Sequence, residues 1–261
     1  MKLKLIQVDA FASKVFEGNP AAVIPLESWL PDEILQAIAT ENNLSETAFL
    51  VPENDVYQIR WFTPAYEVNL CGHATLASAH AMWQHLGYSG EMLRLNSKSG
   101  ILEVHREDTD KYILDFPADS PEEVMDHGPV AAALKQPVLA VYKGKDDLMA
   151  VLPKQELVEQ LQPDFEAIAA LNCRGLIATA AGVKTDFVSR CFYPGAGINE
   201  DPVTGSAHTL MAPYWAAKLD KTRLEAVQLS TRKGRISCNL VGSRVLLSGQ
   251  AQTYMTGEIS F

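Results

Sequence analysis

The chain lacks most of what export, a membrane or a nucleic acid would require. Only four of its 261 residues are cysteine, Cys71, Cys173, Cys191 and Cys238, and no two stand in a C-x-x-C pair. That spacing fits neither a disulfide framework nor a zinc site, so they read as reduced thiols. No apolar run approaches the ~18 residues of a membrane span, and lysines sit where the apolar core of a leader peptide would lie, so the cytoplasm is the expected location. Basic charge is scarce as well. With 22 Lys and Arg against 32 Asp and Glu, the net charge is −10, and the clustered cations that bind nucleic acid or an anionic membrane are missing. A small molecule is the partner these absences leave.

Several chemical signatures are missing too. There is no G-x-x-x-x-G-K-[ST] and no G-x-S-x-G, and Gly195-Ala-Gly-Ile-Asn-Glu200 fails G-x-G-x-x-G at its sixth position. Nucleotide, dinucleotide and serine-hydrolase readings therefore have no support. His73 and His80 lie seven apart without an H-E-x-x-H or an acidic third ligand, so no metal is expected and His80 reads as structural.

What is present is a globular composition, 47% hydrophobic, written twice. Leu3 to Val8 and Tyr57 to Phe62 have strand character, and Pro31 to Glu41 has helical spacing behind a proline. Arg60-Trp-Phe-Thr-Pro64 is echoed by Arg190-Cys-Phe-Tyr-Pro194, Gly72-His-Ala-Thr75 by Gly205-Ser-Ala-His208, and Asn96 to Gly100 by Ser230 to Gly234, at offsets of 130, 133 and 134 residues. Three landmarks in one order at nearly one offset imply a duplicated α/β unit, with domains at 1–125 and 126–261. Each copy should open a helix at a glycine, Gly72 to Leu86 and Gly205 to Leu219, whose first N–H groups suit an anionic ligand. A cleft between facing halves is the expected ligand site.

Proton-transfer groups gather at these points. Glu46 lies between Leu44 and Phe49, and apolar neighbours are what turn a carboxyl into a usable general acid or base; a surface or capping glutamate is the plainer alternative. His73 follows Gly72 and can exchange protons near neutrality. Asp201 precedes the second helix and could orient His73 or bind a substrate amine, or serve simply as a turn carboxylate before Pro202. Ser206 could cap that helix and touch ligand. Cys71 and Thr204 each precede a helix-opening glycine. A thiol at such a place should be acidified and could act as a base, but with threonine opposite, a symmetric two-thiol racemase is disfavoured.

Asp9 to Ala12, Gly18-Asn-Pro-Ala-Ala-Val23, Asn43-Leu-Ser-Glu-Thr-Ala-Phe49, Phe62-Thr-Pro64, Gly72-His-Ala-Thr75 and Glu200-Asp-Pro-Val-Thr-Gly-Ser-Ala207 run in order across the chain, which by them resembles the PhzF-like proteins of phenazine biosynthesis. That resemblance implies a diaminopimelate-epimerase-like α+β fold, two domains each with a curved sheet around a central helix. It places proton transfer on Glu46, with His73 and Asp201 as further catalytic groups and Cys71, Gly72, Ala74, Thr204, Gly205 and Ser206 at the substrate. It also implies isomerase activity on a small carboxylate-bearing, amino-acid-like molecule, no cofactor, and homodimers. The rival readings are an epimerase or dehydratase using Cys71 and a non-catalytic small-molecule-binding protein.

Overall fold

The computed structural model describes residues 1–261, which group into two compact units, residues 1–115 with 248–261, and residues 116–247. The first unit runs β1 (Lys2–Ala10), β2 (Asn19–Pro25), α1 (Asp32–Asn42), β3 (Glu46–Glu53), β4 (Val56–Phe62), β5 (Glu67–Val68), α2 (Gly72–His85), β6 (Met92–Ser97), β7 (Gly100–Arg106) and β8 (Lys111–Pro117). The second runs β9 (Glu122–Val124), α3 (Gly128–Leu134), β10 (Ala140–Lys143), β11 (Asp147–Val151), α4 (Gln155–Glu159), α5 (Phe165–Ala169), β12 (Gly175–Ala181), β13 (Phe187–Tyr193), β14 (Ile198–Asp201), α6 (Gly205–Leu219), β15 (Arg223–Gln228) and β16 (Gly234–Val241). The long β17 (Arg244–Ser260) follows, and from residue 248 onward it belongs to the first unit, where it pairs antiparallel with β1.

The ladders show the duplication directly. In the first unit β1 pairs antiparallel with β2, β2 parallel with β3, β3 antiparallel with β4, β4 antiparallel with β5 and parallel with β6, and β6 antiparallel with β7. In the second, β10, β11, β12, β13, β14, β15 and β16 repeat that sequence of senses step by step. The landmarks fall on matching places: Gly72 and Gly205 open α2 and α6, Pro64 and Pro194 follow β4 and β13, and Gly100 and Gly234 open β7 and β16.

Each mixed sheet packs around one helix. Every residue of α2 from His73 to Trp83 is buried, which marks a helix surrounded by protein rather than lying on a surface. Its hydroxyls are satisfied internally, since Thr75 and Ser78 donate to the carbonyls of Cys71 and Ala74 four residues back, at 2.5 and 2.7 Å. In α6, Pro213 has no N–H to offer Thr209, and the backbone N–H of Asp119 donates to that carbonyl instead at 3.1 Å.

Two buried histidines make the fold acid-sensitive. His80 lies between the Tyr112 hydroxyl, 3.2 Å from Nδ1, and Thr253 Oγ1, 2.8 Å from Nε2, and burial with the neighbouring His85 brings it down to about 4. His208 in α6, with Nδ1 on the Thr204 carbonyl at 2.8 Å, is likewise brought down to about 4 by burial. The unfolded chain takes up these protons near pH 6.5 and the folded chain only near 4, so stability should fall as pH drops across that window, by roughly 3 kcal/mol for each histidine. Urea unfolding at pH 7, 6 and 5 should show the loss, and His208→Gln should flatten the profile; an unchanged slope in that variant would refute the assignment.

Candidate active site

Within the first unit, the start of α2 and the first residues of β2 and β3 meet. Parallel pairing sets Ala21 opposite Glu46, so Asn19, two residues earlier in β2, points to the same face as Ala21. Cys71 is the N-terminal flanking residue of α2, in extended conformation, and His73 is the helix's second residue. His73 is the hub. Its Nε2 lies 3.0 Å from Glu46 Oε2, and its Nδ1 lies 3.1 Å from Asn19 Nδ2 and 3.5 Å from Cys71 Sγ. All of it is withdrawn from water, with His73 4% and the Glu46 side chain 12% exposed. Glu46 is therefore neither a cap nor a surface residue.

The Asn19 amide, as placed, donates to Nδ1, which leaves the ring proton on Nε2, the nitrogen 3.0 Å from Glu46 Oε2 though not aligned with it for a hydrogen bond. Turning the amide over presents its carbonyl to a doubly protonated ring, so Asn19 serves both charge states. Burial alone pulls the imidazole down, while the negative charges available to Cys71 and Glu46 pull it up and prevail. Cys71 and, after it, Glu46 are the two neighbours that hold His73 well above its usual value.

Cys71 corrects an expectation. Its place before a helix should acidify it, yet burial, helped by the charge of Glu46, pushes it up to about 11, and His73 and the Ala74 amide only partly offset this. The desolvation of a thiolate outweighs the half-charge of a helix end.

Glu46, Cys71 and His73 each offer a ligand atom within 4.8 Å of the others, a donor set zinc would accept. The carboxylate lies nearest Nε2 of the ring and the thiol nearest Nδ1.

In the second unit Asp201, 9% exposed, ends β14 and accepts from Thr204 Oγ1 at 2.5 Å. Gln228 fixes both ends of this loop, accepting from the Thr204 N–H at 2.9 Å and donating to the Asp201 carbonyl at 2.7 Å. Thr204 precedes Gly205 as Cys71 precedes Gly72. Ser206 does not cap α6; its Oγ accepts from Arg174 Nη2 at 3.1 Å. Neither Asn19 nor Arg174 is singled out by the sequence pattern as a site residue. Asn19 sits in the Gly18-Asn-Pro segment that carries the resemblance, whereas no motif marks Arg174.

The fold is an epimerase-like α+β fold. A hydroxyproline epimerase structure from Agrobacterium vitis has the same fold, with a TM-score of 0.64 at 10% identity over 99% of this chain and 92% of that one. The model of the phenazine biosynthesis-like proteins matches residues 8–257. An uncharacterized isomerase of Pseudomonas aeruginosa is 50% identical over 99% of both chains. A crystal structure of a PhzF-family protein from Enterococcus faecalis superposes with a TM-score of 0.97 at 46% identity, covering all of both chains. The chain belongs to the phenazine biosynthesis-like, or PhzF, family.

Proposed function

We propose that this protein is an isomerase that moves a proton between carbon atoms of a small carboxylate-bearing, amino-acid-like molecule. Glu46 is the general acid/base, His73 its charge partner, and Asp201, Ser206 and the backbone around Gly72, Ala74 and Gly205 are substrate-binding groups. The observation that carries this reading is the buried Glu46 carboxylate 3.0 Å from His73 Nε2. In the reaction the carboxylate takes a proton from one carbon, the electron pair left behind shifts into an adjacent unsaturated bond, and the proton is returned to a second carbon. Nothing is oxidised or reduced, and the step needs no redox partner.

Solvent-deuterium incorporation into a panel of small unsaturated amino and hydroxy acids tests the reading. Exchange should appear in at least one of them and survive iodoacetamide at pH 7.5, because Cys71 is buried and its thiol lies far above that pH. Exchange abolished by alkylation of Cys71 would establish a thiol epimerase or dehydratase instead. No exchange in any acid that binds would leave a binding protein.

A further inference from the structure

Three arginines of this chain grip carboxylates side-on, and one of them keeps an edge unused. Arg60 places Nε and Nη2 on Glu67, both at 2.7 Å, and Nη1 on Asp32 at 2.8 Å. Arg190 places Nε and Nη2 on Glu200 at 2.8 and 2.7 Å, and Nη1 on the carbonyl of Leu161 at 2.9 Å. Both are nearly buried, 17% and 12% exposed, and every nitrogen of each has a partner. Arg174 differs. Its Nε and Nη2 hold Asp147 at 2.9 and 2.5 Å, Nη2 also reaches Ser206 Oγ, and Nη1 has no partner while 43% of the side chain faces solvent.

The site behind Arg174 is built to hold it still. Asp147 is 4% exposed and also accepts from the Tyr193 hydroxyl at 3.4 Å, and the Tyr193 ring lies 5.4 Å beneath the guanidinium carbon. The ladder registers make Gly175 the counterpart of Glu46, since Gly175 pairs with Asp147 as Glu46 pairs with Ala21. Ser206 is likewise the counterpart of His73, each being the second residue of its unit's central helix. A Cβ at Gly175 would lie 2.1 Å from the Tyr193 ring, so the ring and Arg174 occupy the corner that a carboxylate fills in the first unit. The duplicated corner carries a base in one copy and a cation in the other.

We propose that Arg174, oriented by Asp147 and assisted by Ser206, binds the carboxylate group of a small organic acid. One ligand oxygen accepts from Nη1. The other accepts from the Ser206 hydroxyl, whose oxygen takes the Nη2 bond and whose proton is left for a further acceptor. This binding chemistry rests on the isomerase reading only for the identity of the natural acid.

The test uses the full chain labelled with ¹⁵N and titrated with sodium acetate, with sodium chloride at equal ionic strength and neutral acetamide as controls. Acetate should shift the Arg174 Nε–H and Ser206 N–H signals to saturation, and neither control should. Arg174→Gln should abolish the saturable shift, Ser206→Ala should weaken binding severalfold, and Arg174→Lys, which loses the fork that Asp147 fixes, about tenfold or more. Shifts matched by chloride, or surviving in Arg174→Gln, would overturn the proposal; if that variant does not fold, Arg174→Lys with undiminished affinity has the same force. Glu46→Gln should bind acetate normally, so a failed exchange assay with intact acetate binding sinks the isomerase reading alone, and the reverse result sinks this one alone.

Discussion

Glu200→Ala is expected to lower the unfolding free energy by about 2–4 kcal/mol, far more than an ordinary ion-pair deletion. The carboxylate holds Arg190 by two bonds of 2.7 and 2.8 Å, and the guanidinium lies 5.3 Å over the Phe192 ring while its third nitrogen serves the carbonyls that end α4. With arginine 12% and glutamate 19% exposed, removing the glutamate leaves a cation with little water to replace it. Glu67→Ala should cost a similar amount, because Arg60 is forked on Glu67 and lies 5.0 Å over Phe62 in the corresponding place. Lys2 and Glu258 also pair, but 72% and 52% exposed, so Lys2→Ala should change stability by less than about 1 kcal/mol. Urea unfolding of the three variants would decide it. A Glu200→Ala protein within about 0.5 kcal/mol of the parent would show the pair to be a passenger of the fold.

That pair explains why the duplication is legible in the amino-acid sequence. Arg-x-Phe in β4 and β13 recurs because a nearly buried guanidinium needs both its ring and its glutamate, and the glycines recur as the first residue of each central helix. Other features have no local signal. The tail from residue 248 joins the first unit through β1, and an alternating strand pattern does not name its partner. Arg174 and Asp147 lie 27 residues apart and meet only because β11 and β12 pair in parallel. Cys71 departs from its expected acidity for a related reason. Its place beside a helix start is visible in sequence, but the depth of burial that reverses its acidity is a property of the finished packing.

The sharpest functional prediction sets Glu46 against Cys71. A proton carrier must be ionised before it can accept and must be able to return what it took. Cys71 fails the first condition near neutrality, because its thiol, pushed up to about 11, is almost wholly protonated there. Glu46 instead presents a carboxylate 3.0 Å from Nε2 of His73, a ring that Cys71 and Glu46 hold well above its usual value. Glu46→Gln keeps the shape of the side chain while deleting the acid/base, and it should reduce deuterium exchange into a true substrate by ~10²–10⁴-fold with the fold intact. Cys71→Ala removes only one of the two contacts at His73 Nδ1, and the Asn19 amide at 3.1 Å continues to orient the ring, so the loss should stay below about tenfold. His73→Gln should fall between them, since it spares the carboxylate but removes the ring nitrogen 3.0 Å from it. The measurement is the exchange rate of all three variants on one substrate, with circular dichroism as the check on folding. If Cys71→Ala loses exchange while Glu46→Gln keeps most of it, the proton travels on sulfur and the mechanism given to Glu46 is wrong.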